Sequence, residues 1–158
     1  MKKIGVIGIG NPLRSDDGIG IVLLEKLKEN KKDLPRNVDL LDGGTGGFNL
    51  LHDLSKYEKV IILDAVNINK KPGETSFINI KEVKSKNKKT NLTTHFNDFF
   101  KIIDLSEKLD ELPNEMYLYA VQPKDLSYVE GLSNLISKKI DLYLKDITEK
   151  IKDILKDF

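Results

Sequence analysis

Apolar residues along the chain fall into two kinds of pattern. Short apolar runs, most of them stopped by Gly, Asn, Asp or Pro, predict buried strands. Longer stretches in which apolar residues recur every three or four positions predict helices that bury one face. The predicted strands are Ile4–Ile9, Val38–Leu41, Val60–Val66, Thr75–Val83 and Met116–Val121. The predicted helices run from Asp17 or Gly18 to about Glu29, from Phe48 to Tyr57, from Phe96 to Leu109 and from about Leu132 to the end.

Strands alternate with helices, which predicts one α/β domain over residues 1–158. The sheet is expected to be twisted, five-stranded and mostly parallel, with helices on both faces. The link between strands 60–66 and 75–83 is only eight residues long, Asn67–Glu74, whereas a parallel crossover needs about a dozen or more. Thr75–Val83 is therefore predicted to pair antiparallel near an edge of the sheet.

The charges of the chain nearly cancel, with 26 Lys and Arg against 25 Asp and Glu. This leaves no basic surplus for a nucleic acid, so we expect no nucleic-acid partner. The chain contains no cysteine, which excludes disulfides, thiolate metal ligands and cysteine nucleophiles. The apolar run Ile4–Ile9 is too short to span a membrane or to form the apolar segment of a signal peptide. We therefore expect a cytoplasmic protein that does not bind membranes.

The stretch GIGNPLRSDDGIG, residues 8–20, joins the first predicted strand to the first helix. A dinucleotide-binding turn would have glycine where Leu13 stands, and the carboxylates of Asp16 and Asp17 would repel a phosphate. Nucleotide binding is therefore disfavoured. Either carboxylate can cap the helix that follows, and one is enough. The other is then expected to face the ligand site at the carboxyl ends of the strands.

Two further polar residues lie where loops meet this edge of the predicted sheet. Asp64 interrupts the apolar run VIILDAV, where a carboxylate is costly unless it is hydrogen-bonded, paired or metal-bound. His95 directly precedes the third predicted helix, whereas His52 is assigned to the solvated face of the second. Taken alone, Asp64 or His95 can be an ordinary turn or surface residue. Together with one carboxylate of the Asp16–Asp17 pair, Asp64 and His95 form a three-ligand site with open positions, suited to zinc, nickel, iron or manganese.

The stretch DGGTGG, residues 42–47, holds four glycines among six residues. A strand-to-helix turn that needs positive φ explains one or two of them. The surplus of glycine lets another chain approach the backbone closely. The exposed amides can then pair with an extended peptide, as in strand addition.

Six motifs resemble, in order and spacing, those of the endopeptidases that mature nickel–iron hydrogenases. They are GIGNPLRSDDGIG, LLDGGTGG at 40–47, VIILDAV at 60–66, PGE at 72–74, TTH at 93–95 and VQP at 121–123. The resemblance covers most of the chain, from Ile4 to about Leu132. It implies removal of a short C-terminal extension from the precursor of the hydrogenase large subunit after nickel has been inserted.

The resemblance also implies roles for individual residues. The metal-contacting positions become Asp17, Asp64 and His95, and the metal is nickel carried by the precursor, with no organic cofactor. Asp16 is then a neighbouring cap or supporting group. Asp17 and Asp42 are the candidates for a general base. The region implied to meet the C-terminal segment of the substrate comprises Asp42, Gly43, Gly44 and Thr45.

Two other kinds of function remain open at this point. A metal-sensing maturation chaperone would bind the same precursor without cutting it, and no indispensable nucleophile separates that alternative from a peptidase. An enzyme for small phosphorylated molecules would need a basic pocket at the strand ends. The loops there are acidic apart from Arg14, which counts against the second alternative.

Overall fold

The structure is a computed structural model that describes residues 2–45, 54–85, 101, 103–105, 107–110 and 112–158. Its strands are β1 (Ile4–Gly8), β2 (Val38–Asp42), β3 (Lys59–Ala65), β4 (Thr75–Asn79) and β5 (Glu115–Val121). They form one sheet in the order β2-β1-β3-β5-β4. β4 pairs antiparallel with β5 at the edge, and every other pairing is parallel. The α/β class and the antiparallel edge strand are thus confirmed.

Helices and short 3₁₀ turns connect these strands. The helices are α1 (Ile19–Glu29), α2 (Ile80–Ser85), α3 (residues 101, 103–105 and 107–108 as described), α4 (Asn134–Ser137) and α5 (Ile140–Leu155). The 3₁₀ turns are Ser15–Gly18, Lys31–Asp33 and Leu54–Lys56. Among the residues described, none of these helices has the length and apolar character required to cross a bilayer.

Both faces of the sheet are covered, which explains why β3 is apolar almost throughout. Successive strand residues point to opposite faces. Ile61 and Leu63 pack with side chains of α1 and α5, whereas Val60 and Ile62 pack with side chains of α2 and α3. A central strand therefore has no solvent-facing side, and a carboxylate placed in it is buried.

The predicted strand Thr75–Val83 is too long at its carboxyl end. β4 stops at Asn79, and α2 begins at Ile80. The side-chain oxygen of Asn79 accepts the backbone N–H of Lys81 at 3.1 Å, as a helix cap does. The apolar residues after Asn79 thus belong to a helix that packs on the sheet.

The single closing helix predicted from Leu132 is also wrong. The N–H of Lys139 bonds to the carbonyl of Ile136, three residues back, and this turn separates α4 from α5. Of the predicted helix Phe48–Tyr57, the described part begins at Leu54 and is a 3₁₀ turn. The first part of the predicted helix Phe96–Leu109 lies outside the described residues, and the described part is helical to residue 108.

Candidate active site

The loops that follow β1 and β2 are joined by backbone hydrogen bonds beyond the ends of the strands. The N–H of Gly43 donates to the carbonyl of Gly8 at 2.8 Å, and the N–H of Gly10 donates to that of Gly44 at 2.9 Å. On the other side of β1, the N–H of Ile9 reaches the carbonyl of Leu63 in β3 at 3.0 Å. The loops after β1 and β2 and the carboxyl end of β3 therefore lie together at one edge of the sheet, as expected.

Asp16 anchors this edge to a distant part of the chain. Its carboxylate accepts the N–H groups of Lys124 and Asp125 at 3.0 Å each, and both the N–H and the hydroxyl of Ser133 at 2.8 Å. The side chain is completely buried. The prediction that Asp16 or Asp17 caps the first helix is wrong, because α1 is capped at Gly18 without a side-chain hydrogen bond. Asp16 instead fixes the loop after β5.

Asp17 lies in the same 3₁₀ turn and is 1% exposed. Its Oδ2 accepts the N–H of Asn11 at 3.0 Å. Gly10, with φ of +152°, makes room for it, since a Cβ there would lie 2.2 Å from the Asp17 carbonyl oxygen. The loop after β1 is thereby folded over the turn that carries Asp17, so the backbone on both sides of this carboxylate is fixed.

Asp64 is the next-to-last residue of β3 and is also 1% exposed. The 3₁₀ turn with Asp17 packs against β3. Gly20 makes this packing close, because a Cβ there would lie 2.2 Å from the carbonyl oxygen of Leu63 and 2.3 Å from that of Ile9. Asp17 and Asp64 thus belong to neighbouring segments at the carboxyl edge of the sheet.

His95, the third candidate ligand, lies outside the described residues, as does His52. The described residues contain no group of three or more His, Cys, Asp or Glu side chains that could hold a metal ion. Strand alternation puts Asp64 on the same face as Val60 and Ile62. Ile103 of α3, which follows His95 in the sequence, packs on that face. The donors in the described part, two carboxylates, are hard oxygen ligands that fit a divalent ion.

The segment Asp42–Thr45 is more open than the two buried carboxylates. Asp42 is exposed, and its Oδ1 accepts the N–H of Gly44 at 2.8 Å. Gly44 has a φ of +60° and open space around it, so its conformation, not crowding, requires glycine. Thr45 is exposed as well. The remaining glycines of DGGTGG lie outside the described residues.

Gln122 holds the loop that follows Asp64. Its side-chain oxygen accepts the N–H of Ile68 at 2.8 Å, and its backbone exchanges hydrogen bonds with Gly73 and Glu74. Sequence reasoning placed Gln122 after a strand but assigned it no role. Ser133 carried no signal at all, because its partner Asp16 is 117 positions away.

A buried tyrosine supports the same loop from the helix side. Tyr143 of α5 donates its hydroxyl to the carbonyl of Gly73 at 2.6 Å. Burial and, as a smaller cause, the negative charge of Asp16 together raise the pKa of Tyr143 to about 12. The hydroxyl therefore stays protonated at neutral pH and remains a donor.

Comparisons with known proteins agree with this fold. The HycI family model, described as hydrogenase maturation protease, matches residues 21–150. The hydrogenase 2 maturation protease of Escherichia coli K12 is 30% identical over 155 residues, covering 96% of this chain and 92% of that protein. The hydrogenase expression/formation protein HupD of Rhodobacter capsulatus is 30% identical over 152 residues, covering 96% and 72%. The solved structure of the E. coli hydrogenase maturating endopeptidase HybD has a TM-score of 0.83 at 27% identity, covering 96% and 93%.

The fold and the matches define an α/β endopeptidase, a hydrolase of peptide bonds. The chain belongs to the hydrogenase maturation protease family. The family resemblance seen in the six sequence motifs is thereby confirmed.

Proposed function

We propose that this protein removes the C-terminal extension of a nickel–iron hydrogenase large-subunit precursor and recognises the nickel that the precursor carries. The observation that carries the proposal is the placement of Asp17 and Asp64, both buried, on adjoining segments at the carboxyl edge of the sheet. In open α/β sheets this edge is where ligands bind. The matches to hydrogenase maturation proteases supply the class of substrate.

Asp17, Asp64 and His95 are the proposed contacts to nickel. Carboxylate oxygen and imidazole nitrogen are both accepted by divalent nickel, and a cation offsets the cost of burying carboxylates. The nickel is part of the substrate in this proposal. Its other ligands belong to the large subunit, so three contacts from the peptidase are enough to dock the loaded precursor and to discriminate against the empty one.

Hydrolysis of the scissile peptide follows from this docking. A water oxygen attacks the peptide carbonyl carbon, and the C–N bond breaks as the leaving amine gains a proton. Asp17, Asp64 and His95 would hold the nickel of the precursor, and this ion would supply polarisation of the peptide carbonyl. Asp17 or Asp42 accepts the proton of the attacking water as general base. Asp42 is the more accessible of the two, whereas Asp17 is already proposed as a nickel contact.

The segment Asp42–Thr45 is the proposed seat of the extended C-terminal peptide. Asp42 and Thr45 are exposed, and the backbone of Gly43 and Gly44 extends the edge where β2 and β1 end. Gly44 has open space around it, which lets a second backbone come close there. Main-chain hydrogen bonds then hold the peptide in an extended form, as in strand addition.

We further propose that the reaction takes place in the cytoplasm. The chain has no cysteine, which fits a reducing compartment. Its 26 basic and 25 acidic residues favour a protein partner over a nucleic acid.

The test is cleavage of purified precursor, followed by mass spectrometry of the large subunit. We expect the nickel-loaded precursor to lose its extension and the nickel-free precursor to stay intact. Equal cleavage of both would contradict nickel recognition. Binding of the loaded precursor without any cleavage would favour the maturation chaperone instead.

A further inference from the structure

Large apolar side chains stand exposed next to the candidate active site. Leu13, in the loop after β1, is 62% exposed, and Tyr128 and Val129, in the loop after β5, are 81% and 59% exposed. Arg14 joins them, since its guanidinium carbon lies 4.9 Å from the centre of the Tyr128 ring. We call these four residues the Tyr128 surface.

The two loops that form the Tyr128 surface are fixed to each other. The N–H of Ser15 donates to the carbonyl of Val129 at 2.7 Å, and the N–H of Asp16 donates to that of Asp125 at 3.0 Å. The buried carboxylate of Asp16 adds its hydrogen bonds to the same loop. The surface is therefore preorganised, which reduces the entropy lost when a partner binds.

Arg14 gives this surface a chemical preference. Its Nε is shielded from solvent and has no hydrogen-bond partner in the described part of the chain. No ion pair of Arg14 occurs among the described residues either, although charged side chains elsewhere pair readily. A guanidinium stacked on an aromatic ring presents a planar set of N–H donors that fits a carboxylate. The structure thus offers a cation whose acidic partner is not supplied by the described chain.

We propose that the Tyr128 surface docks the hydrogenase large-subunit precursor. Arg14 pairs with a carboxylate of that subunit, and the exposed side chains of Leu13, Tyr128 and Val129 cover an apolar side chain beside it. The inference rests on the proposed function, because it takes the precursor as the occupant.

Two observations support this occupant. The Tyr128 surface is continuous with the site, since Arg14 is three positions from Asp17 and directly precedes the 3₁₀ turn that carries it. A substrate that reaches Asp17 and Asp64 therefore passes beside it. Arginine and tyrosine are also the residue types that contribute most binding energy at protein interfaces, and exposed apolar patches beside functional sites mark such interfaces.

The test compares Arg14→Gln and Tyr128→Ser with Leu142→Ser, a matched control. Leu142 is 67% exposed on α5 and takes no part in the site. Steady-state cleavage of the nickel-loaded precursor gives kcat and KM, and calorimetric titration of the same precursor gives Kd. We expect each variant of the surface to raise KM and Kd at least about fivefold with kcat close to wild type, as for an interface residue of high energy. The control is expected to leave both constants unchanged.

Unchanged KM and Kd in both variants would overturn the docking proposal, and so would an equal change in the Leu142→Ser control. A loss of kcat alone would assign Arg14 to the chemistry instead.

Sedimentation of the free protein distinguishes a further occupant: a dimer that Tyr128→Ser dissociates without a change in Kd would show that a second copy covers this surface. If the wild-type protein binds the loaded precursor but never cuts it, the proposed function fails and the titrations still decide the docking proposal.

Discussion

Charged side chains are buried at both ends of the central strand, but they serve different purposes. At the amino end, Lys59 is 3% exposed; its amine donates to the carbonyl of Ile154 at 2.8 Å and lies 3.4 Å from a carboxylate oxygen of Glu115. A hydrogen bond from Tyr117, with the charge of Lys59 as a smaller cause, keeps the pKa of Glu115 below its usual range. This end joins β3 to the last turn of α5.

At the carboxyl end, the buried charges are negative: Asp64 belongs to β3 itself, and Asp16 and Asp17 belong to the 3₁₀ turn that packs against β3. Asp16 resembles Lys59, because donors of its own chain surround it. Asp17 and Asp64 lie at the edge where we propose that the substrate binds. Burial of a charge is therefore not by itself a sign of function. What separates Asp17 and Asp64 from Lys59 is their position at the carboxyl edge, where ligands bind in open α/β sheets.

The strongest test of the difference between the two ends of β3 is removal of the proposed nickel contacts at its carboxyl end. We expect Asp17→Ala, Asp64→Ala and His95→Ala each to reduce cleavage of nickel-loaded precursor by more than about a hundredfold, since even a supporting partner of a metal ligand is worth about 10–100-fold. Mass spectrometry of the precursor measures the loss. Asp33→Ala, which removes an exposed carboxylate in the turn after α1, is the control. Folded variants that cut at the wild-type rate would remove these residues from the site.

Asp16→Asn tests the carboxylate that supports the edge without touching the substrate. The amide would direct its NH₂ group at donors that now face a carboxylate oxygen. We expect the free energy of unfolding to fall by about 1.5–3 kcal/mol, the range for a hydrogen bond to a charged group. Urea denaturation measures this change, and cleavage is expected to fall with it because the turn of Asp17 loosens. Wild-type stability in this variant would contradict the anchoring role of Asp16.

Lys59→Met tests the opposite end of the strand. The variant loses the hydrogen bond to Ile154, whereas Glu115, 37% exposed in its side chain, remains solvated. We expect the free energy of unfolding to fall by about 1–3 kcal/mol, the cost of an unmatched buried polar group. Cleavage per folded molecule should equal that of the wild type, and this equality is the critical result. A drop in kcat would show that the two ends are not independent.

Tyr143→Phe has the smallest expected effect. It removes one hydrogen bond to Gly73 and should cost about 0.5–1.5 kcal/mol in urea denaturation at pH 7. Because the folded pKa of about 12 exceeds the usual value, the wild type loses stability as the pH rises from about 10 towards 12. The variant should show a shallower loss over that window. Parallel curves for the two proteins would mean that Tyr143 does not titrate with unfolding.

Features that depend on neighbouring residues could be predicted from the sequence. The length of the apolar runs identified the strands, and the short link after β3 identified the antiparallel edge. Asp64 stood out because it interrupts an apolar run. The break between α4 and α5 could not be found in this way, because the apolar stripe continues through the turn at Lys138 and Lys139. The spacing of apolar residues shows which face of a helix is buried. It does not show where the backbone hydrogen bonds of one helix end and those of the next begin.

The role of Asp16 lay beyond such reasoning for a different reason. Its donors stand 108 to 117 positions away, and nothing local to Lys124 or Ser133 marks them as partners of a carboxylate. A local rule therefore favoured a helix cap, which is the commonest use of aspartate at that point. Tertiary contacts replaced the cap with an anchor between distant loops.

That anchor has a consequence for biosynthesis. Asp16 is synthesised at least 108 residues before the groups that hold it, which belong to Lys124, Asp125 and Ser133. A nascent chain that ends before Lys124 contains both aspartates but lacks the groups that hold their turn. The turn of Asp16 and Asp17 is therefore held in place only after the loop that follows β5 has been synthesised.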